Sequence, residues 1–150
     1  MSELTHIDAE GEARMVDVSA KPAQDREAMA CGEIRLAAAT LDAIESGDTA
    51  KGNVLATARL AGIMAAKKPA ELIPLCHPLP ITHAEVDFEM SASRDRIVIT
   101  ASARISAKTG VEMEALTAVS TAALTIYDMC KAIDKQMVIS EISVTSKTKR

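Results

Sequence analysis

The run Tyr127-Asp-Met-Cys-Lys131 sets Asp128 and Lys131 three residues apart, so on a helix they share one face close to its C-terminus, where a cation is favoured. A carboxylate beside an ammonium is either a solvated ion pair, worth a few tenths of a kcal/mol, or an acid/base pair set against a substrate; taken alone, the solvated pair is the commoner case. Pro74-Leu-Cys-His-Pro78 holds His77 in a loop restrained by proline on both sides. Rigid loops often carry functional groups, although a structural, hydrogen-bonded histidine is the commoner reading of such a feature. Cys76 beside it does not make a metal site, because no second Cys or His stands at ligand spacing and His6 and His83 are isolated. A zinc site is rejected. Lys108-Thr-Gly-Val-Glu-Met-Glu114 opens a helix whose free amides could receive an anion, with Lys108 adding charge. Equally, Glu112 could close a capping box with Thr109, and Glu114 could favour the positive helix end. Lys51-Gly52 also precedes a helix, where a lone lysine is ordinarily solvated, and nothing matches the phosphate loop G-x-x-x-x-G-K-S/T.

These residues need elements to position them. Residues 1–25 are polar and aperiodic and predict a flexible arm that orders only on contact with a ligand or partner. From Glu27 to Leu36, Ala28, Ala30, Gly32, Ile34 and Leu36 alternate as in a half-buried strand. A short helix over Thr40–Ser46 ends near Gly47, and an Ala-rich helix spans Asn53–Lys68. Leu72–Pro80, with three prolines, reads as a fixed loop. Alternation over Thr82–Met90 and Arg96–Ile105, joined by Ser91–Asp95, predicts a hairpin. A long helix runs from Val111 to about Lys131 with Met113, Leu116, Ser120, Ala123, Tyr127 and Cys130 at helical spacing. Met137–Val144 is a last strand, followed by a basic tail, Lys147–Arg150. The order is that of an α+β fold, a ferredoxin-like split βαβ sandwich with one extra helix, its antiparallel sheet covered by helices on one face. Residues 26–150 then form a single domain, and the fold alone assigns no function.

Composition narrows the classes. A chain of 150 residues can bury a core without disulfides or metals. Phe88 and Tyr127 are its only aromatic rings, so the core is aliphatic, and a small core of that kind gains from burying more surface against copies of itself. A homo-oligomer is expected. The net charge of -4 argues against a general nucleic-acid binder. No apolar run approaches the length needed to span a bilayer, and no secretion signal precedes the three widely spaced cysteines. A soluble, cytoplasmic protein with reduced thiols follows, without membrane partners.

Met15-Val-Asp-Val-Ser-Ala-Lys21, Lys51-Gly-Asn-Val-Leu-Ala-Thr-Ala-Arg59, Leu72-Ile-Pro-Leu-Cys-His-Pro-Leu79, Lys108-Thr-Gly-Val-Glu-Met-Glu-Ala-Leu116 and Ala123-Leu-Thr-Ile-Tyr-Asp-Met-Cys-Lys-Ala132 together resemble the MoaC family of cyclic pyranopterin monophosphate synthases. The blocks occur in order over nearly the whole chain. Likeness is weakest over residues 22–50 and after Lys135. The resemblance implies a lyase of molybdenum-cofactor biosynthesis that rearranges 3′,8-cyclo-7,8-dihydro-GTP into cyclic pyranopterin monophosphate and releases pyrophosphate. It carries catalytic roles onto Lys51, Asp128 and Lys131, with His77 close by, and substrate binding onto Leu75, Cys76, His77, Met113 and Glu114, with Glu112 assisting. For the triphosphate it offers Lys21 and Lys67, and Arg26 less firmly. It implies no tightly bound cofactor, with Mg²⁺ able to accompany the triphosphate, and a homohexamer of paired dimers with sites at subunit boundaries. Lysines near another cation and shielded from water would exchange protons near neutrality, with the carboxylate taking or returning them. The rival reading is a non-catalytic ferredoxin-like binding or assembly module; a metal-dependent hydrolase would need tightly bound metal.

Overall fold

A computed structural model describes residues 5–150. In chain order the elements are β1 (Gln24–Arg35), α1 (Ala38–Ser46), α2 (Val54–Ala66), α3 (Pro69–Leu72), β2 (His83–Met90), β3 (Arg96–Ala107), α4 (Glu112–Cys130) and β4 (Val138–Lys149). The strands form one antiparallel sheet in the order β2-β3-β1-β4, the ferredoxin-like split βαβ arrangement. β1 and β3 pair along their whole length, from Gln24 with Ala107 to Arg35 with Arg96. Their alternation puts Ala28, Ala30, Ile34, Ile97, Ile99, Ala101, Ala103 and Ile105 into the core, beneath α4. The opposite face carries Glu27, Glu33, Arg96 and Arg104, tied by Arg96–Glu33 (3.0 Å) and Arg104–Glu27 (2.8 Å).

With almost no aromatic volume, close approach replaces large side chains. α2 buries Val54, Ala58, Gly62 and Ala66 at four-residue spacing, and a Cβ on Gly62 would stand 3.0 Å from the Ala118 carbonyl oxygen of α4. Gly32 of β1 is more tightly enclosed: a Cβ there would lie 2.8 Å from Val119 Cγ1 and 2.9 Å from Ile142 Cγ1. Asp134, after α4, accepts from Ala37 N–H (3.0 Å), the Thr40 hydroxyl (2.9 Å) and Gln136 N–H (3.0 Å). It thereby caps the start of α1, whose own N-cap Ala37 has no side-chain acceptor.

Four expectations are corrected. Thr109 and Glu112 form no capping box: α4 starts at Glu112 and its N-cap is Val111, without a side-chain cap, so Glu112 stands two positions too early for that motif. The buried stripe of α4 is Glu114, Ala115, Ala118, Val119, Ala122, Ala123, Ile126, Met129 and Cys130. Leu116 is only partly buried and Tyr127 is exposed, because small residues, not the bulkier ones, face the closely packed sheet and α2. The basic tail is strand: β4 continues to Lys149, which pairs with Arg26. A Glu141 in left-handed conformation (φ 59°) accompanies the register shifts that let so long a strand follow β1. Finally, Leu72 closes a one-turn helix, α3, before the Pro-rich loop.

The arm, residues 5–23, has no helix or long strand. Turns and a single bridge, Ile7 with Ala13, shape it.

Candidate active site

Asp128 lies on the last turn of α4 between two ammonium groups. Lys51 Nζ is 2.9 Å from Oδ2 and Lys131 Nζ is 3.0 Å from Oδ1. Lys131 arrives by helical spacing, whereas Lys51 arrives through the fold. Gly52, at φ 97°, turns the chain after Lys51, Asn53 caps α2 by accepting from Ala56 N–H at 3.0 Å, and the packing of α2 on α4 brings the start of one beside the end of the other. Lys51 Nζ also donates to the Asp128 carbonyl oxygen at 3.4 Å, at the negative end of α4. Hydrogen bonds from Lys51 and then Lys131 hold the Asp128 carboxyl below its ordinary pKa, so it is an anion that can accept a proton. The expected shielding from water does not hold in one chain, where the three side chains are 51%, 54% and 55% exposed.

A cleft of about 330 Å³ lies at the other end of α4, between the arm and the body. Val16, Val18 and Lys21 form the arm side; Leu75, Cys76, His77, Glu112, Met113 and Glu114 form the body side. The prolines around His77 fix its loop, and His77 Nε2 donates to the Val16 carbonyl oxygen at 2.6 Å, which sets the proton on Nε2. Glu114 is 1% exposed, and its Oε2 has no hydrogen-bond partner among the described residues. Burial raises the Glu114 carboxyl to a pKa of about 7 against the hydrogen bond from its own backbone N–H, and the charge of Glu112 adds to the rise. Burial, followed by the charge of Glu114, likewise raises the Cys76 thiol. The Glu112 carboxylate folds back over Gly110, where an added Cβ would collide with Oε1, and meets Lys147 of β4 at 3.5 Å. Among the described residues the buried Oε2 of Glu114 is unpaired, and such a group in a cleft is a candidate for a functional role.

The two groups are not brought together within one chain. Glu114 and Asp128 stand fourteen residues apart on α4, roughly 20 Å along the helix axis. Of the cations expected on triphosphate, only Lys21 lines the cleft. Arg26 turns away and donates through Nε to the Ala107 carbonyl oxygen at 3.1 Å, while Lys67 lies in a separate groove with Glu71 and Pro78. A larger cleft of about 570 Å³, lined by Arg26, Arg104 and Arg150 with Asp25 and Glu27, holds none of the other expected site residues. Sequence reasoning passed over Lys147, hidden in the supposed tail, and read Lys108 only as added charge.

The sequence model of the MoaC family matches residues 15–150. The chain belongs to the MoaC family. Within it, a cyclic pyranopterin monophosphate synthase from a Roseiflexus species is 58% identical over 148 residues, covering 99% of this chain and 94% of the relative. Its counterpart from Desulfitobacterium hafniense is 60% identical over 146 residues (97% and 89%), and that from Desulforapulum autotrophicum is 56% identical over 148 residues (99% and 91%). The MoaC-family match begins at Met15, so it takes in Val16, Val18 and Lys21 of the cleft's arm side as well as both clusters.

Proposed function

We propose that this chain is a cyclic pyranopterin monophosphate synthase, a lyase of molybdenum-cofactor biosynthesis that rearranges 3′,8-cyclo-7,8-dihydro-GTP and releases pyrophosphate. The observation that carries the reading is the Asp128 carboxylate held between Lys51 and Lys131 at 2.9 and 3.0 Å. Forming a cyclic phosphate requires a substrate oxygen to bond to the α-phosphorus while pyrophosphate leaves, and the oxygen must give up its proton. Rebuilding the ring system requires further proton transfers. In this reading Lys51 and Lys131 carry protons and Asp128 accepts or orients them, each positioned group contributing about 10²- to 10⁴-fold in rate. The ring and ribose lie against Leu75, Cys76, His77, Met113 and Glu114, with Glu112 assisting. Lys21 meets the triphosphate from the wall of the cleft; Lys67 and Arg26, which stand outside that cleft in one chain, would join it only from another copy, the several charges of a triphosphate calling for such cations.

A reacting ring cannot touch both ends of α4 at once, so a second copy supplies one half of each site. A homohexamer of paired dimers is the assembly we propose. The exposed Leu60 and Met64 of α2 and Leu124 of α4 offer apolar surface for such contacts. No described helix is long and apolar enough to cross a membrane; a reducing, cytoplasmic setting for the free thiols is part of the proposal. So is the absence of a tightly bound cofactor, with Mg²⁺ entering only alongside the triphosphate.

Incubation of the purified protein with 3′,8-cyclo-7,8-dihydro-GTP tests the reading. Stoichiometric pyrophosphate and a product giving a fluorescent pterin on oxidation are expected. A non-catalytic binding module would give neither.

A further inference from the structure

We propose that Lys108 is a positioning residue that, with His77, latches the arm across the cleft so that Lys21 is held in its wall. Among the described residues, residues 5–23 make two hydrogen bonds to the rest of the chain, and both run from a body side chain to an arm carbonyl. His77 Nε2 donates to Val16 O at 2.6 Å, and Lys108 Nζ donates to Ser19 O at 3.0 Å. The donors belong to different loops: His77 follows α3 and Lys108 joins β3 to α4.

The segment they hold is a preformed turn. Asp17 Oδ1 accepts from Ser19 N–H at 2.9 Å, and Lys21 N–H closes back onto Val18 O at 3.0 Å. Fixing the carbonyls of Val16 and Ser19 therefore fixes the direction in which Lys21 leaves the turn. Hydrogen bonds from Ser19 hold the Asp17 carboxyl below its ordinary range, with the charge of Lys108 a smaller contribution. Since Val16, Val18 and Lys21 form one side of the cleft, the cleft has its shape only while the arm is down. Lys108 does not itself line the cleft, so its effect on the substrate passes through the arm.

The kinetic arm of the test rests on the synthase reading; the exchange arm does not. In Lys108→Met, amides of residues 14–21 are expected to exchange about five- to tenfold faster than in the unsubstituted protein, with β1 and α4 unchanged. KM for the cyclised GTP substrate should rise about fivefold while kcat stays within about twofold. Lys108→Arg, which retains a cationic donor, should restore both. Unaltered arm exchange in Lys108→Met would overturn the latch. A raised KM with unaltered exchange would also overturn it, placing Lys108 directly on substrate, and a loosened arm with unaltered KM would overturn the positioning role. If the unsubstituted protein released no pyrophosphate, the synthase reading would fail, and the exchange comparison would still decide whether the latch exists.

Discussion

Asp128 holds two cations side by side that would otherwise repel, and in the proposed reaction they carry protons with the carboxylate between them. Because Lys51, Asp128 and Lys131 are about half exposed, none of them is needed to fill the core. Lys51→Ala and Lys131→Ala are therefore expected to melt within about 2 °C of the unsubstituted protein, while pyrophosphate release falls at least about 10²-fold. A folded Lys131→Ala protein that turns over at the original rate would reduce the triad to a solvated ion pair. Glu114 has the opposite character. Its carboxyl rises from an ordinary 4.5 to about 7 on folding, so the folded state binds that proton more tightly than the unfolded chain does. Its contribution is intact below pH 4.5, is lost as pH rises toward 7, and stays lost above that, amounting to about 3 kcal/mol at most. Glu114→Gln, which cannot ionise, should flatten the stability profile between pH 5 and 7. Urea unfolding at stepped pH measures this, and parallel profiles for the two proteins would show that Glu114 does not titrate in that window.

At the scale of elements, strands and helices were legible wherever the pattern was local. Alternation in β1, β2 and β3 and the turn at Gly47 needed nothing from outside their own segments, and the observed ends fall within a few residues of the expected ones. The long helix was legible as a helix but not by face. In α4 the sequence offers Leu116 and Tyr127 as obvious anchors, yet the sheet and α2 approach too closely for them, and Ala115, Ala118, Val119 and Ala122 face inward instead. Side-chain size pointed one way and inter-element distance decided the other. Asp134 was illegible for a related reason: one loop aspartate looks like any other until the fold brings Ala37 and Thr40 to it. Helical spacing by itself pairs only Asp128 with Lys131; Lys51 was joined to them by the family resemblance, and the packing of α2 on α4 is what seats it there. Gly32→Ala tests the close approach itself. Its methyl would fall 2.8 Å from Val119 Cγ1 and 2.9 Å from Ile142 Cγ1, an overpacking expected to cost about 1–3 kcal/mol. An unchanged urea midpoint would mean that β4 or α4 moves aside at no cost.

For the whole molecule, the separation of the two clusters along α4 makes a demand on assembly. If one site takes His77 and Glu114 from one copy and the Lys51–Asp128–Lys131 cluster from another, then two inactive variants can repair each other. His77→Ala and Lys131→Ala place their lesions in different halves, and each alone should be nearly inactive. In oligomers reassembled from an equal mixture, a shared site draws each half independently from the two chain types. About one site in four then receives both intact halves, so roughly a quarter of the original turnover should return. If instead a conformational change brought both halves of a single chain together, every site in the mixture would still carry one lesion and activity would not return. The result depends on real subunit exchange, which mass measurement of differentially labelled chains establishes before the assay. Recovery near one quarter in verified mixed oligomers would support sites built between copies. No recovery in the same oligomers would place both halves in one chain and overturn that assembly.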